Sequence, residues 1–196
     1  MDQRAEISTL GEFGLINHLT QNNETKNAST ILSVGDDAAV IDNFGRQTVV
    51  STDLLIEGIH FDLSYTPLKH LGYKSIVVNL SDIYAMNATP SQVTVSIAFS
   101  NRFGLEALDE LYSGIYAACD KYQVDLIGGD TSTSQKGLII SVTAIGEVAP
   151  GNFIKRSTAK PNDLICVSGE LGGAFLGLTL IKKKKKIFEE TGAQPD

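Results

Sequence analysis

Residues 92–127 read QVTVSIAFSNRFGLEALDELYSGIYAACDKYQVDLI, and this stretch decides the fold class. Val93, Val95, Ile97 and Phe99 alternate with small polar residues, the period-2 pattern of a strand. After Gly104 the period changes. Leu105, Leu108, Tyr112, Ile115, Cys119 and Tyr122 recur at intervals of three and four, the apolar face of an amphipathic helix. Val124–Ile127 returns to a short apolar strand that ends at Gly128-Gly129-Asp130.

Outward from this unit, Leu138–Val148 reads as a long apolar strand and Pro67 to about Asn87 as a helix, with proline suited to its first turn and Pro90 marking its end. Within that helix Leu71, Ser75, Val78 and Asp82 share one stripe. Thr30–Val34 and Gln47–Ser51 are expected strands, separated by Gly35-Asp36-Asp37 and a turn at Asp42-Asn43-Phe44-Gly45. Thr9-x-x-Glu12 has the form of a capping box for a short helix to about Leu19. Lys160-Pro161-Asn162-Asp163 is a turn before an expected strand Leu164–Val167, and Gly169–Gly173 leads into a last helix. There Lys182–Lys186 reads as a solvated helix end and Thr191–Asp196 as an unanchored tail. The order of elements predicts an α+β protein: a mixed, mostly antiparallel sheet with two long helices on one face.

The chain of 196 residues carries 23 acidic and 16 basic side chains, net −7, and five of the positive charges sit in the run Lys182–Lys186. That balance argues against a nucleic-acid partner, which calls for a basic face. An apolar fraction of 42% with 20% charged residues is that of a globular chain, not a disordered one. No run of 18 apolar residues predicts a membrane span, and the charged Met1–Glu6 does not resemble a signal peptide. Cys119 and Cys166 are far apart and sit in apolar stretches, so both are expected to be buried, reduced thiols of a cytoplasmic protein.

The chemistry is carried by aspartates. Asp36 and Asp37 follow a strand and a glycine, Asp53 is expected to end a strand after Ser51 and Thr52, Asp82 lies on an apolar helical stripe, and Asp130 is expected to end a strand after two glycines. A single Asp at a strand end is more often a turn former or cap, whereas Asp82, inside a helix on an apolar stripe, is harder to explain that way. Together they present more inward carboxylates than nearby cations can pair, and a buried carboxylate without a cation is costly. Oxygen donors without a histidine or cysteine cluster suit Mg²⁺, which keeps positions for water and phosphate oxygens, so the set points to a polyphosphate ligand. The Walker loop, a Gly-x-Gly-x-x-Gly after a strand, His-Glu-x-x-His, an EF-hand loop and Gly-x-Ser-x-Gly do not occur in the sequence. No Ser/His or Cys/His pair stands out as a catalytic group.

With these motifs side by side, the chain resembles the thiamine-monophosphate kinase family over roughly residues 11–181. The matching segments are Gly11-Glu12-Phe13-Gly14-Leu15-Ile16, Val34-Gly35-Asp36-Asp37-Ala38-Ala39-Val40, Ser51-Thr52-Asp53-Leu54-Leu55 with Gly58-Ile59-His60-Phe61, Asn79-Leu80-Ser81-Asp82-Ile83-Tyr84-Ala85-Met86, Leu126-Ile127-Gly128-Gly129-Asp130-Thr131, and Arg156-Ser157 with Ala159-Lys160-Pro161 and Asp163. The wider superfamily, which includes aminoimidazole ribonucleotide, formylglycinamidine and selenophosphate synthetases, shares the aspartate scaffold. The Gly-Glu-Phe start and the His60 segment favour the thiamine branch.

The resemblance implies direct in-line transfer of the ATP γ-phosphate to thiamine monophosphate, assisted by several Mg²⁺ ions. By position it makes Asp37, Ser51, Thr52, Asp53, Asp82 and Asp130 metal ligands, Gly129, Asp130, Arg156 and Tyr112 ATP contacts, and His60 a substrate contact. It implies a homodimer formed through the sheet, with residues 1–150 as an ATP- and metal-binding unit and 151–196 as the start of a second one. The family's later Asp-x-Ser-Asp-Gly motif does not occur here, so the chain is expected to be a fragment. Another ATP-using enzyme of the superfamily and a non-catalytic dimerising domain are the alternatives.

Overall fold

The computed structural model describes residues 13–14, 30–32, 36–43 and 45–192. The expected capping box and most of the helix after it lie outside the described residues. The strands are β1 (Thr30–Leu32), β2 (Ala39–Asp42), β3 (Gln47–Ile56), β4 (Thr89–Phe99), β5 (Asp125–Thr133) and β6 (Ile139–Val148). The helices are α1 (Leu68–Ala85), α2 (Leu105–Tyr122) and α3 (Gly173–Thr191), with a 3-10 turn at Arg156–Thr158.

The six strands form one sheet in the order β1-β2-β3-β6-β4-β5. Only β4 and β5 are parallel; every other pair is antiparallel. β3, β6 and β4 are the long central strands, and α1 lies across them with α2 packed chiefly along α1. The core sits between sheet and helices: Val40, Val49, Val93, Ile140 and Val142 from the strands meet Leu71, Ile76, Leu80 and Ile83 of α1 and Leu111 and Ile115 of α2, all fully buried. Each such side chain contributes about 2 kcal/mol of apolar burial. The mixed sheet with two long helices on one face is therefore as expected.

Local chemistry sets the ends of the helices. Pro67, extended at ψ 138°, delivers the chain into α1, and Asn87 in the left-handed region turns it out again. α2 carries Glu106 in its first turn and Lys121 in its last, matching the helix dipole, and Gln123 ends it in the left-handed region.

Several boundaries differ from the sequence reading. β2 was not expected at all, since four residues next to a turn carry little periodicity. β3 continues past Ser51 to Ile56, and β5 continues through both glycines to Thr133, so Asp53 and Asp130 lie inside strands, not at their ends. In each case pairing with a neighbour, β6 or β4, supplies what local propensity lacks. Pro90 belongs to β4 and does not merely end α1. The expected strand Leu164–Val167 does not form: among the described residues no strand pairs with it, and Leu164 and Ile165 are 90% and 95% exposed. Cys119 is buried as expected, whereas Cys166 is exposed in the same irregular stretch. The lysine run lies within α3, and among the described residues no helix is long and apolar enough to cross a membrane.

Candidate active site

β2 pairs with β3 only as far as Val50, which leaves the second half of β3 free on that side. There Ser51 and Asp53 face α1 and the segment around Asp37. The Ser51 hydroxyl donates to Asp82 Oδ2 at 2.8 Å and lies 3.2 Å from the Asp37 carbonyl oxygen. The backbone N–H of Asp53 donates to Asn79 Oδ1 at 2.9 Å. Asn79 is fully buried on α1, and its Nδ2 donates to the Ser75 carbonyl at 3.0 Å. Three elements thus bring Asp37, Asp53 and Asp82 together around Ser51.

The electrostatics agree with that convergence. Burial holds the Asp82 carboxyl above the ordinary carboxylate value, and the negative charges of Asp53 and Asp37 push it the same way. The Ser51 hydrogen bond and the positive charge of Arg156 act in the opposite direction. Arg156 arrives from the 3-10 turn. Its guanidinium pairs with Asp37, and its Nε lies 3.7 Å from Asp36 Oδ1. These carboxylates raise the arginine pKa, the hydrogen-bonded Asp37 most. Asp36 Oδ1 also accepts the backbone N–H of Asp37 at 3.0 Å, which fixes the turn that presents both acids.

A cleft of about 210 Å³ adjoins the acidic cluster and runs from Asp53 to His60 and Lys74. His60 Nδ1 accepts the backbone N–H of Ile56 at 3.0 Å, and Lys74 Nζ donates to the His60 carbonyl at 3.1 Å.

The remaining expected site residues lie elsewhere. Thr52 points to the other side of the sheet, where its hydroxyl donates to the Val142 carbonyl at 3.0 Å and accepts from Thr143 Oγ1 at 3.1 Å. The register carries Asp130 to Ser96, Ser96 to Ser141 and Ser141 to Leu54. Asp130 therefore stands in the cross-strand row of Leu54, three strand spacings or about 14 Å from β3. It lines a separate cleft with Gly129 and Tyr112. Burial, and then Tyr116, raises the Tyr112 phenol pKa. Gly129 is required there: a Cβ would lie 1.8 Å from the Val95 carbonyl oxygen, so no other residue lets β5 approach β4.

The acidic cluster offers carboxylate and hydroxyl oxygens, and its like charges repel one another, a donor set that suits a hard cation. Among the described residues no three His, Cys, Asp or Glu side chains are arranged to cage an ion by themselves. Asn79 and Lys74 were not singled out in the sequence, and Asp36, named there beside Asp37, was given no site role. Asn79 stands in the same motif as Asp82, three residues ahead on α1, and that spacing was the available signal.

Sheet order, helices and acidic cleft together define the class: the chain belongs to the family of AIR synthase related proteins, N-terminal domain, which matches residues 35–148. Within that class it is similar to thiamine-monophosphate kinases. The chain is 37% identical over 186 residues to the thiamine-monophosphate kinase of Bacillus subtilis, covering 94% of this chain and 55% of that protein. It is 42% identical over 145 residues to the thiamine-monophosphate kinase of Synechococcus elongatus, covering 74% and 44%. A solved structure described as AaThiL complexed with AMPPCP and TMP superposes with a TM-score of 0.80 at 33% identity, covering 92% of this chain and 56% of that one. The chain spans about half the length of the curated relatives it matches.

Proposed function

We propose that this chain forms the metal- and phosphate-binding part of an enzyme that transfers the γ-phosphate of ATP to thiamine monophosphate, giving thiamine diphosphate. The observation that carries the reading is the convergence of Asp37, Ser51, Asp53 and Asp82 beside a cleft that ends at His60. The related structure with an ATP analogue and TMP supports the choice of substrates.

Asp37, Asp53 and Asp82, with the Ser51 hydroxyl, would hold Mg²⁺, completed by phosphate oxygens and water. Bound Mg²⁺ supplies charge neutralisation between two anionic phosphates. The nucleophile is a phosphate oxygen that is already anionic at neutral pH, so the chain needs no general base, and the work of its residues is positioning. His60 orients the thiamine moiety. Arg156, paired with Asp36 and Asp37 in this structure, would supply positive charge to the ATP phosphates. Gly129, Asp130 and Tyr112 form the nucleotide-side cleft, with Asp130 as a metal ligand there. Thr52 joins the ligand set only by exchanging its bonds to Val142 and Thr143.

Residues 1–150 are read as one unit and 151–196 as the start of a second. A homodimer through the open sheet face is supported by the exposed Leu54 and Ile127 and by the absence, among the described residues, of any helix over that face. A cytoplasmic location is supported by the absence of a membrane-length apolar helix and by the free thiols.

Calorimetric titration with a non-hydrolysable ATP analogue and thiamine monophosphate tests the reading. Both ligands are expected to bind in Mg²⁺ and to lose at least about tenfold in affinity in Asp53→Asn, the effect of removing one charge-assisted contact. Absence of heat with either ligand, or unchanged binding by the variant, overturns it.

A further inference from the structure

We infer that Lys74 binds the phosphate of the acceptor and thereby selects a phosphorylated acceptor over its unphosphorylated parent; the inference rests on the kinase reading above. The cleft beside the acidic cluster is lined by Asp53, Leu54, Leu55, His60, Lys74 and Val78. Its ends differ chemically. Asp53 leads to the carboxylates, and His60 stands at the far side with Nδ1 held by the Ile56 N–H, which leaves Nε2 for a ligand. Between them Lys74 is the one permanent cation of the six. Its ammonium group donates to the His60 carbonyl at 3.1 Å and makes no ion pair with any carboxylate among the described residues. Two of its three N–H groups remain for a ligand.

The helix places this charge in line with the acidic site. Lys74, Val78 and Asp82 follow one another at four-residue spacing on α1, so the lysine and the cluster stand two turns apart, about 12 Å between Cα atoms. A monophosphate ester whose organic part rests at His60 directs its phosphate past Lys74 toward Asp53. The three carboxylates repel such an anion, and an ammonium group at the entrance offsets that repulsion where the acceptor, rather than the nucleotide, passes. Lysine serves here as a flexible point charge for phosphate. The same side chain lines the neighbouring cleft of Gly58–Thr66 and α3, so it faces the approach as well as the site.

The test titrates the purified chain, in Mg²⁺, with thiamine monophosphate and separately with thiamine. The unaltered protein is expected to bind the monophosphate at least about tenfold more tightly, the size of one charge-assisted hydrogen bond. Lys74→Met is expected to weaken monophosphate binding by about that factor, to leave thiamine binding unchanged and so to erase the preference; Lys74→Arg restores most of it. A methionine variant that keeps the preference overturns the role of Lys74 and leaves the kinase reading standing. Equal loss of both ligands that arginine does not restore marks a structural role and also overturns it. An unaltered protein that binds neither ligand overturns the kinase reading, and the role of Lys74 with it.

Discussion

Asn79 holds Asp53, proposed above as a metal ligand, in place. Where β2 stops pairing, the Asp53 N–H has no strand partner, and the fully buried Asn79 carboxamide takes it while anchoring itself to the Ser75 carbonyl. Asn79→Ala leaves that N–H without a partner in a partly buried position, and the expected loss is about 1–3 kcal/mol in urea unfolding. Stabilisation by added Mg²⁺, read as a shift in melting temperature, is expected to fall with it, because Asp53 loses its fixed position. An apolar-volume explanation instead predicts the same stability loss with the Mg²⁺ shift intact. At this scale the sequence was legible in part. Asp82 declared its inward position because helical spacing places it below Leu71, Ser75 and Val78. Arg156 could not be connected with Asp37 in the same way, since 119 residues separate them and no periodicity spans that distance. Asp130 carries the same chemistry as the others, yet strand order alone decides that it stands three strands away from β3, and strand order is a long-range property.

The α1–α2 pair shows the same division between local pattern and contact. The period of the apolar residues marks out α2 from Leu105 to Tyr122 and α1 to within two residues at each end. Two glycines inside these helices read, locally, as weaknesses of about 1 kcal/mol each. In the folded protein they are the crossing point. A Cβ at Gly72 would lie 2.0 Å from the Leu111 carbonyl oxygen, and one at Gly114 would lie 1.8 Å from that of Lys69. Backbone meets backbone on both sides, so neither side chain can be accommodated by a rotamer change. Gly72→Ala is expected to destabilise the protein by about 2–3 kcal/mol through overpacking, despite alanine's better helix propensity. Gly177→Ala on α3, where a Cβ meets nothing within 4 Å, is the contrasting case and is expected to add helical circular dichroism without lowering the melting temperature. Equal effects from the two substitutions would remove the close crossing as the cause. β5 illustrates the converse failure of local reading: its glycines and aspartate disfavour a strand, and pairing with β4 along its whole length carries it.

Across the whole molecule, packing falls away along the chain after β6. Phe153 still packs on the core, the Ile154 N–H donates to the Met86 carbonyl at 3.3 Å, and Arg156 reaches the acidic cluster. Beyond Ala159 the backbone has no regular structure until α3, and none of the residues of α3 is buried. That helix meets the body through Lys185, whose ion pair with Asp62 at 2.8 Å holds the aspartate carboxyl well below the ordinary carboxylate range. A solvated ion pair of this kind contributes too little to protect the segment before it. Stability is therefore expected to be divided between a cooperative body and a weakly held C-terminal stretch. Chymotrypsin under native conditions should cut first between Leu164 and Leu171, where the side chains are exposed and the backbone is free of strand or helix. The large product should resist further cleavage and keep the melting transition of the uncut protein, because the sheet, α1 and α2 lie entirely before the cut. It should also keep the Mg²⁺-induced shift, since Asp37, Asp53, Asp82 and Arg156 all remain in it. Cleavage that begins within the sheet, or a product that melts earlier than the parent, would show instead that the stretch after Ala159 supports the body, and the acidic site would then depend on contacts with α3 that its exposure does not suggest.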